Sequence, residues 1–212
     1  MLRTLASVGS TVAAAHDALR VGRGGGLAGG THHAFRAEGS GFCVFNDIAV
    51  AIAALQAEGL IRRAAVLDLD VHQGDGTAKI FEEDSEVLTI SVHGRNNFPF
   101  RKQISRIDID LPDGAGDEEF LGAVARVVPK ALDFQPDVVF FQSGVDGLGS
   151  DKLGRLRLTH NGLRRRDEIV FSALHRADIP CVVTLGGGYS EPIELTVEAH
   201  ANTFRAAAGI DS

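Results

Sequence analysis

The 212-residue chain has no tryptophan, one tyrosine, one methionine and two cysteines. Cys43 and Cys181 are too few for a disulfide scaffold, which excludes the small cross-linked secreted classes and suggests a reducing, cytoplasmic setting. No apolar run is long enough to span a bilayer. Positive charge is also short: 21 Lys and Arg stand against 28 Asp and Glu, a net charge of −7. That leaves no basic stripe for a phosphate backbone, so neither nucleic acid nor membrane is an expected partner. The one basic cluster, Arg164-Arg165-Arg166, runs into Asp167 and Glu168 and reads as the solvated start of a helix. Arg3 followed by small apolar residues gives the beginning a faint likeness to a signal peptide, but His16 and Asp17 interrupt it and a helix is the better reading.

What the chain does have is hydrophobic periodicity and 25 glycines. A hydrophobic content of 44% and a mean hydropathy of +0.06 are those of a globular protein. Residues 2–20 carry Leu, Ala and Val at helical spacing and stop at Gly22. Residues 46–58 read as a helix capped by Asn46 or Asp47, with Ile48, Ile52 and Leu55 facing inward. Further helices are expected at 77–83, 117–133, 161–177 and 191–206. Strands are expected from residue 64 onward and over Val87–Val92, Ile104–Leu111, Asp137–Gln142 and Cys181–Leu185. Alternation of strands and helices predicts a mainly parallel sheet covered on both faces, a three-layer α/β/α architecture. Without a repeat or a linker, residues 1–212 read as a single domain.

The most informative segment is 64–76, Ala-Ala-Val-Leu-Asp-Leu-Asp-Val-His-Gln-Gly-Asp-Gly. Asp68, Asp70 and His72 sit two apart in an apolar run, so a strand would point all three to one face. Two carboxylates together in a core repel and resist desolvation, and a divalent cation removes that cost. Oxygen and imidazole donors suit zinc. The alternative, a solvated strand end, fits poorly with so apolar an entry. Asp146, in Gln-Ser-Gly-Val-Asp after another apolar run, is a natural third ligand, and three ligands leave a catalytic position open. Read alone, Asp146 could be a turn aspartate.

Function in such sheets gathers in the loops leaving the carboxyl ends of the strands. Four loops carry the unusual residues: His32-His33, Asp70 to Asp75, Ser143 to Asp146, and Gly186 to Tyr189. Adjacent side chains diverge, so one histidine could be deep and charged while its neighbour faces a substrate. Each would need an orienting carboxylate, and Asp68 and Asp75 are available; a surface pair is the plainer alternative. Tyr189 follows Gly186-Gly187-Gly188 and could donate to a developing oxyanion, or merely pack. Cys43 as a thiol nucleophile would leave the aspartates unexplained, and a buried structural cysteine is the better reading. The glycine-rich stretch Gly24–Gly30 lacks the Gly-Lys-Ser/Thr of a phosphate-binding loop.

Five segments together, Gly-Gly-Thr-His-His-Ala, Gly-Phe-Cys-Val-Phe-Asn-Asp, Asp-Leu-Asp-Val-His-Gln-Gly-Asp-Gly, Ser-Gly-Val-Asp and Gly-Gly-Gly-Tyr, occur in an order that resembles the zinc-dependent histone deacetylases, with the flavour of the bacterial and class IV-like members. The resemblance implies the arginase/deacetylase fold and hydrolysis of an N-acyl amide on an acylated lysine or small amine. It implies one catalytic zinc on Asp70, His72 and Asp146, with His33 as general base and acid oriented by Asp75, His32 as its buried partner on Asp68, and Tyr189 polarising the carbonyl. Phe42 and Phe98, with Gly41 and Gly187, would line the acyl tunnel. A structural potassium would use Asp68, Ser91 and Val92, with Asp70 and His72, and a second would lie near Phe81, Asp84 and Val87. The rivals are a non-catalytic zinc-containing binder of acyl ligands and an acetylpolyamine amidohydrolase; hydrolysis of a guanidine ranks low, because it needs two manganese ions. Only 31 residues precede His32, fewer than the family carries. That difference implies loss of two edge strands and one tunnel wall, a contiguous six-strand remainder, and a bared edge through which a second copy could associate.

Overall fold

The structure is a computed structural model and describes residues 1–209. Six strands form one sheet: β1 (Arg23–Gly25), β2 (Ala64–Asp68), β3 (Val87–Gly94), β4 (Ile107–Leu111), β5 (Val138–Gln142) and β6 (Cys181–Thr184). Their spatial order is β1-β6-β5-β2-β3-β4, and every pair is parallel. The helices are α1 (Leu2–Val21), α2 (Asp47–Ala57), α3 (Asp75–Ile80), α4 (Asp117–Asp133), α5 (His160–Arg176) and α6 (Glu194–Ala208). The expected three layers are therefore present, and the sheet is wholly parallel.

The alternation of side chains along the strands sorts the two cores. Ala64, Val66, Val87, Val138, Phe140 and Val182 meet Ala14, Ala15 and Ala18 of α1 and Ile48, Ile52 and Leu55 of α2. Their neighbours Ala65, Leu67, Leu88, Ile90, Val139, Phe141 and Val183 meet α4, α5 and α6 through Phe120, Val124, Val127, Val170, Phe171 and Ala199. Each fully buried large side chain stabilises the fold by about 1.5–3 kcal/mol over leaving it in water. Strands buried on both faces are what a parallel sheet requires, and β2, β3, β5 and β6 are buried throughout.

Asn46 is the cap of α2: its side chain accepts from the Ala49 N–H. β1 is only three residues long, pairs with β6 alone, and forms one edge of the sheet. Two expectations need correction. The strand at 64 stops at Asp68, so Asp70 and His72 lie beyond it. The ladder ends because local carboxylate bonds replace it: Asp68 Oδ1 accepts from the Asp70 N–H at 3.2 Å and Asp70 Oδ1 from the His72 N–H at 2.9 Å. The arginine cluster is also not simply solvated, since Arg166 is 0% exposed. Residues 163, 166, 167, 170, 171 and 174 form the buried stripe of α5, and this spacing carries Arg166 and Asp167 inward.

Candidate active site

β1, β6, β5 and β2 are consecutive in the sheet. The four loops singled out above leave the carboxyl ends of these four neighbours, which is why they meet. They surround a cavity of about 1050 Å³ lined by His32, His33, Asp70, His72, Asp146 and Tyr189 among others. The histidine pair is held from behind by residues whose importance sequence reasoning missed. Asp47, fully buried, accepts from Thr11 Oγ1 (2.6 Å), the Gly30 N–H (2.9 Å), and the Thr31 N–H and Oγ1 (both 2.7 Å). Asn46 Nδ2 donates to the carbonyls of His32 (3.3 Å) and Ala34 (3.2 Å). Gln142 Nε2 donates to the Gly30 carbonyl at 3.0 Å. The apparent capping pair at 46–47 is therefore also a brace; polar residues inside an apolar helix start were the available signal.

The two imidazoles lie with ring centroids 4.1 Å apart and planes tilted by 49°, and each has its own carboxylate. His32 Nδ1 lies 2.7 Å from Asp68 Oδ2, and His33 Nδ1 lies 2.7 Å from Asp75 Oδ1. Burial alone would lower the pKa of His32, but the charge of Asp68 and its hydrogen bond, helped by Asp70, hold it up at about 9. Burial, then the charge on His32, pushes His33 down to about 4 despite Asp75. One ring is charged and the other is a neutral base.

Asp70, His72 and Asp146 offer donor atoms that all lie within 4.8 Å of one another. The two carboxylates are 1% exposed. His72 Nδ1 lies 3.0 Å from Asp146 Oδ2 and 3.2 Å from Asp70 Oδ1. Burial would lower His72, but its bonds to Asp146 and Asp70 raise it to about 10. Burial and the charge of Asp70 push Asp146 up to about 7. Burial opposes the charge on Asp70 too, yet His32 and His72 hold it below the usual carboxylate range. His72 Nδ1 thus faces both buried carboxylates at hydrogen-bond distance. The donor set fits a divalent cation that accepts oxygen and imidazole ligands. Two glycines press on the carboxylates: a Cβ at Gly144 would lie 2.0 Å from Asp70 Oδ2, and one at Gly187 would lie 1.9 Å from Asp146 Oδ2. The Gly187 N–H also donates to Asp70 Oδ2 at 2.9 Å.

Of the other expected site residues, Phe98 sets its ring edge-on to His33 at 4.9 Å. Phe42, at φ 65° and 92% exposed, borders the cavity without cover. Gly41 touches the His33 ring, where a Cβ would come within 2.4 Å. Tyr189 is half-exposed on the rim, and burial together with the charges of Asp146 and Asp70 raises its pKa, so its hydroxyl keeps its proton. Ser91 pairs in register with Asp68, and its hydroxyl lies 2.9 Å from His93 Nδ1. Cys43 is half-buried rather than buried, and burial pushes its thiol up to about 11, which disfavours a thiolate. Lys102, not foreseen, donates to the carbonyls of Arg95 (3.2 Å), Asn97 (2.7 Å) and Pro99 (2.6 Å), clasping the loop that carries Phe98.

Comparison with known proteins identifies a family and a fold. The sequence profile of the histone deacetylase domain matches residues 1–204, and the chain belongs to that family. It is 45% identical over 206 residues to an uncharacterised protein of Picosynechococcus, covering 97% of this chain and 69% of that one. It is 34% identical to a probable deacetylase of Methanothermobacter thermautotrophicus, across 86% of this chain and 58% of the relative. The crystal structure of an acetylpolyamine aminohydrolase from Burkholderia pseudomallei superposes with a TM-score of 0.83 at 28% identity, covering 96% of this chain and 61% of the other. The chain spans between 36% and 69% of the length of the curated relatives compared.

Proposed function

We propose that residues 1–212 act as one catalytic domain that hydrolyses an N-acyl amide, of the acetyl-lysine kind, with a zinc ion on Asp70, His72 and Asp146. The observation that carries this reading is the meeting of two His–Asp pairs with that donor set at one cavity. When bound there, zinc lowers the pKa of a water and polarises the acyl carbonyl. The chain's own residues supply the rest. Neutral His33, fixed through Nδ1 by Asp75, takes a proton from the water on its free nitrogen and later returns one to the leaving amine. Charged His32, paired with Asp68, keeps His33 neutral before the reaction. Tyr189 donates its hydroxyl to the carbonyl oxygen as negative charge develops. Phe98 and Phe42, with Gly41 and Gly187, border the acyl chain. Asp68, Ser91 and Val92, with Asp70 and His72, would hold a structural potassium, and a second would sit near Phe81, Asp84 and Val87. The two unpaired cysteines support a cytoplasmic setting, and among the described residues no helix is long and apolar enough to cross a membrane.

Turnover of a fluorogenic acetyl-lysine amide, abolished by a chelator and restored by zinc, tests the proposal; binding of the amide without turnover would leave a non-catalytic binder. A second reading, hydrolysis of an acetylated polyamine, is favoured by the structural likeness to the Burkholderia aminohydrolase. Parallel assays with N-acetylputrescine separate the two substrates.

A further inference from the structure

Arg166 and Asp167 are both 0% exposed. A buried ion pair is a weak source of stability, because removing both charges from water offsets much of their attraction. Their presence in the core of α5 therefore calls for another explanation, and their contacts give one. Arg166 Nε donates to Asp167 Oδ1 at 2.8 Å, Nη1 to the Gly144 carbonyl at 2.6 Å, and Nη2 to Thr203 Oγ1 at 3.4 Å. Thr203, on α6, donates to Asp167 Oδ2 at 2.7 Å. The guanidinium also lies 5.4 Å from the centre of the Phe141 ring, on β5. Its plane and reach are fixed from three elements, and the short bond from Nη1 is aimed at the loop that leaves β5.

That loop carries Asp146, two residues after Gly144, and it runs so close to Asp70 that a Cβ at Gly144 would lie 2.0 Å from Asp70 Oδ2. Its N–H groups tie it to the neighbouring strand and loop: Ser143 N–H donates to the Thr184 carbonyl and Val145 N–H to the Gly187 carbonyl, both at 2.9 Å. Arg166 supplies the tie on the carbonyl side. Rotation of the Gly144 peptide would swing Asp146 and release the contact on Asp70 together.

We propose that Arg166, clamped by Asp167 and Thr203, is a positioning residue that sets the metal-ligand loop through the Gly144 carbonyl. This rests on the reading of Asp70, His72 and Asp146 as zinc ligands. Zinc–oxygen distances tolerate errors of only about 0.2 Å, so a loop freed at Gly144 binds the ion poorly even when the fold is intact.

The test compares the full chain with the single variant Arg166→Met, which strands a buried carboxylate, and the double variant Arg166→Met/Asp167→Leu, which removes the charge pair and fills the space. Zinc affinity is measured by chelator competition, the ligand field by the visible spectrum of the cobalt-loaded protein, and folding by thermal melting. The double variant is expected to melt near the wild-type temperature, to bind zinc about 10–100-fold more weakly, and to give an altered cobalt spectrum. Wild-type affinity and spectrum in the double variant would overturn the proposal. So would failure of the double variant to fold, which would assign the pair to the fold instead of the loop. A wild-type protein that takes up no zinc would sink the ligand assignment itself.

Discussion

Replacing Gly144 with alanine should cost the protein its metal with little damage to its fold. Gly144 is not among the glycines with positive φ, so alanine can adopt its backbone. The difficulty is purely steric. The new methyl would lie 2.0 Å from Asp70 Oδ2 and 2.6 Å from its Cγ, whereas ordinary contact begins at 3.4 Å. Either the carboxylate retreats by more than about 1 Å or the loop backs away and takes Asp146 with it; both exceed the ~0.2 Å tolerance of a zinc–oxygen bond. The stability cost should be that of a tight overpacking, about 1–3 kcal/mol. Gly122, exposed on α4 with nothing within 4 Å of its would-be Cβ, is the control. Alanine there should stabilise by about 0.4–1 kcal/mol and leave metal uptake alone. Chelator competition and thermal melts on both variants make the comparison. If Gly144→Ala binds zinc as tightly as the wild type, the carboxylate of Asp70 is not a ligand in this position.

Four other outcomes follow from the same geometry. Asp146→Ala should purify without zinc by elemental analysis, and full stoichiometry in that variant would remove Asp146 from the ligand set. Tyr189→Phe should keep the metal and the fold but lose about 10²-fold or more in kcat, the usual cost of one oxyanion donor; an unchanged kcat would leave the tyrosine a packing residue. Lys102→Met should free the loop that holds Phe98 against His33 and raise KM by roughly tenfold, near the low end for a charged hydrogen bond that is partly exposed, with zinc content unchanged. Finally, among the described residues β1 is an edge strand paired with β6 alone, so light scattering at rising concentration should reveal association through that edge; a monomer at every concentration would show that the edge does not recruit a second copy.

Much of the frame was legible because it follows from periodicity. Short continuous apolar runs marked the strands that now divide their side chains between two cores, and α4 was delimited to the residue. The four loops were legible because glycines and lone polar residues interrupt apolar runs. What could not be read was where a ladder stops. Asp68 and Asp70 look alike in the sequence, yet one ends β2 and the other turns the chain, because their oxygens capture the next N–H groups locally. Charge was misleading for a different reason. Three successive arginines suggest a solvated face, but a helix places residues 163, 166, 167 and 170 on one stripe, and the apolar neighbours at 163 and 170 were already announcing that Arg166 would go inside.

The histidine pair marks the deeper limit of a sequence. His32 and His33 are chemically identical neighbours, and no pattern says which is charged. The distinction arises from what each ring meets after folding. Burial works against the charge on His32, but the charge of Asp68 and its hydrogen bond, helped by Asp70, together outweigh it. His33 has Asp75, but it stands beside an imidazolium that has just been made permanent. Burial lowers the second ring first, and the charge on the first ring adds to it. In the proposed hydrolysis Asp68 therefore belongs with the machinery as much as Asp75 does: Asp75 would aim the base, and Asp68, through His32, would help keep it free to accept a proton.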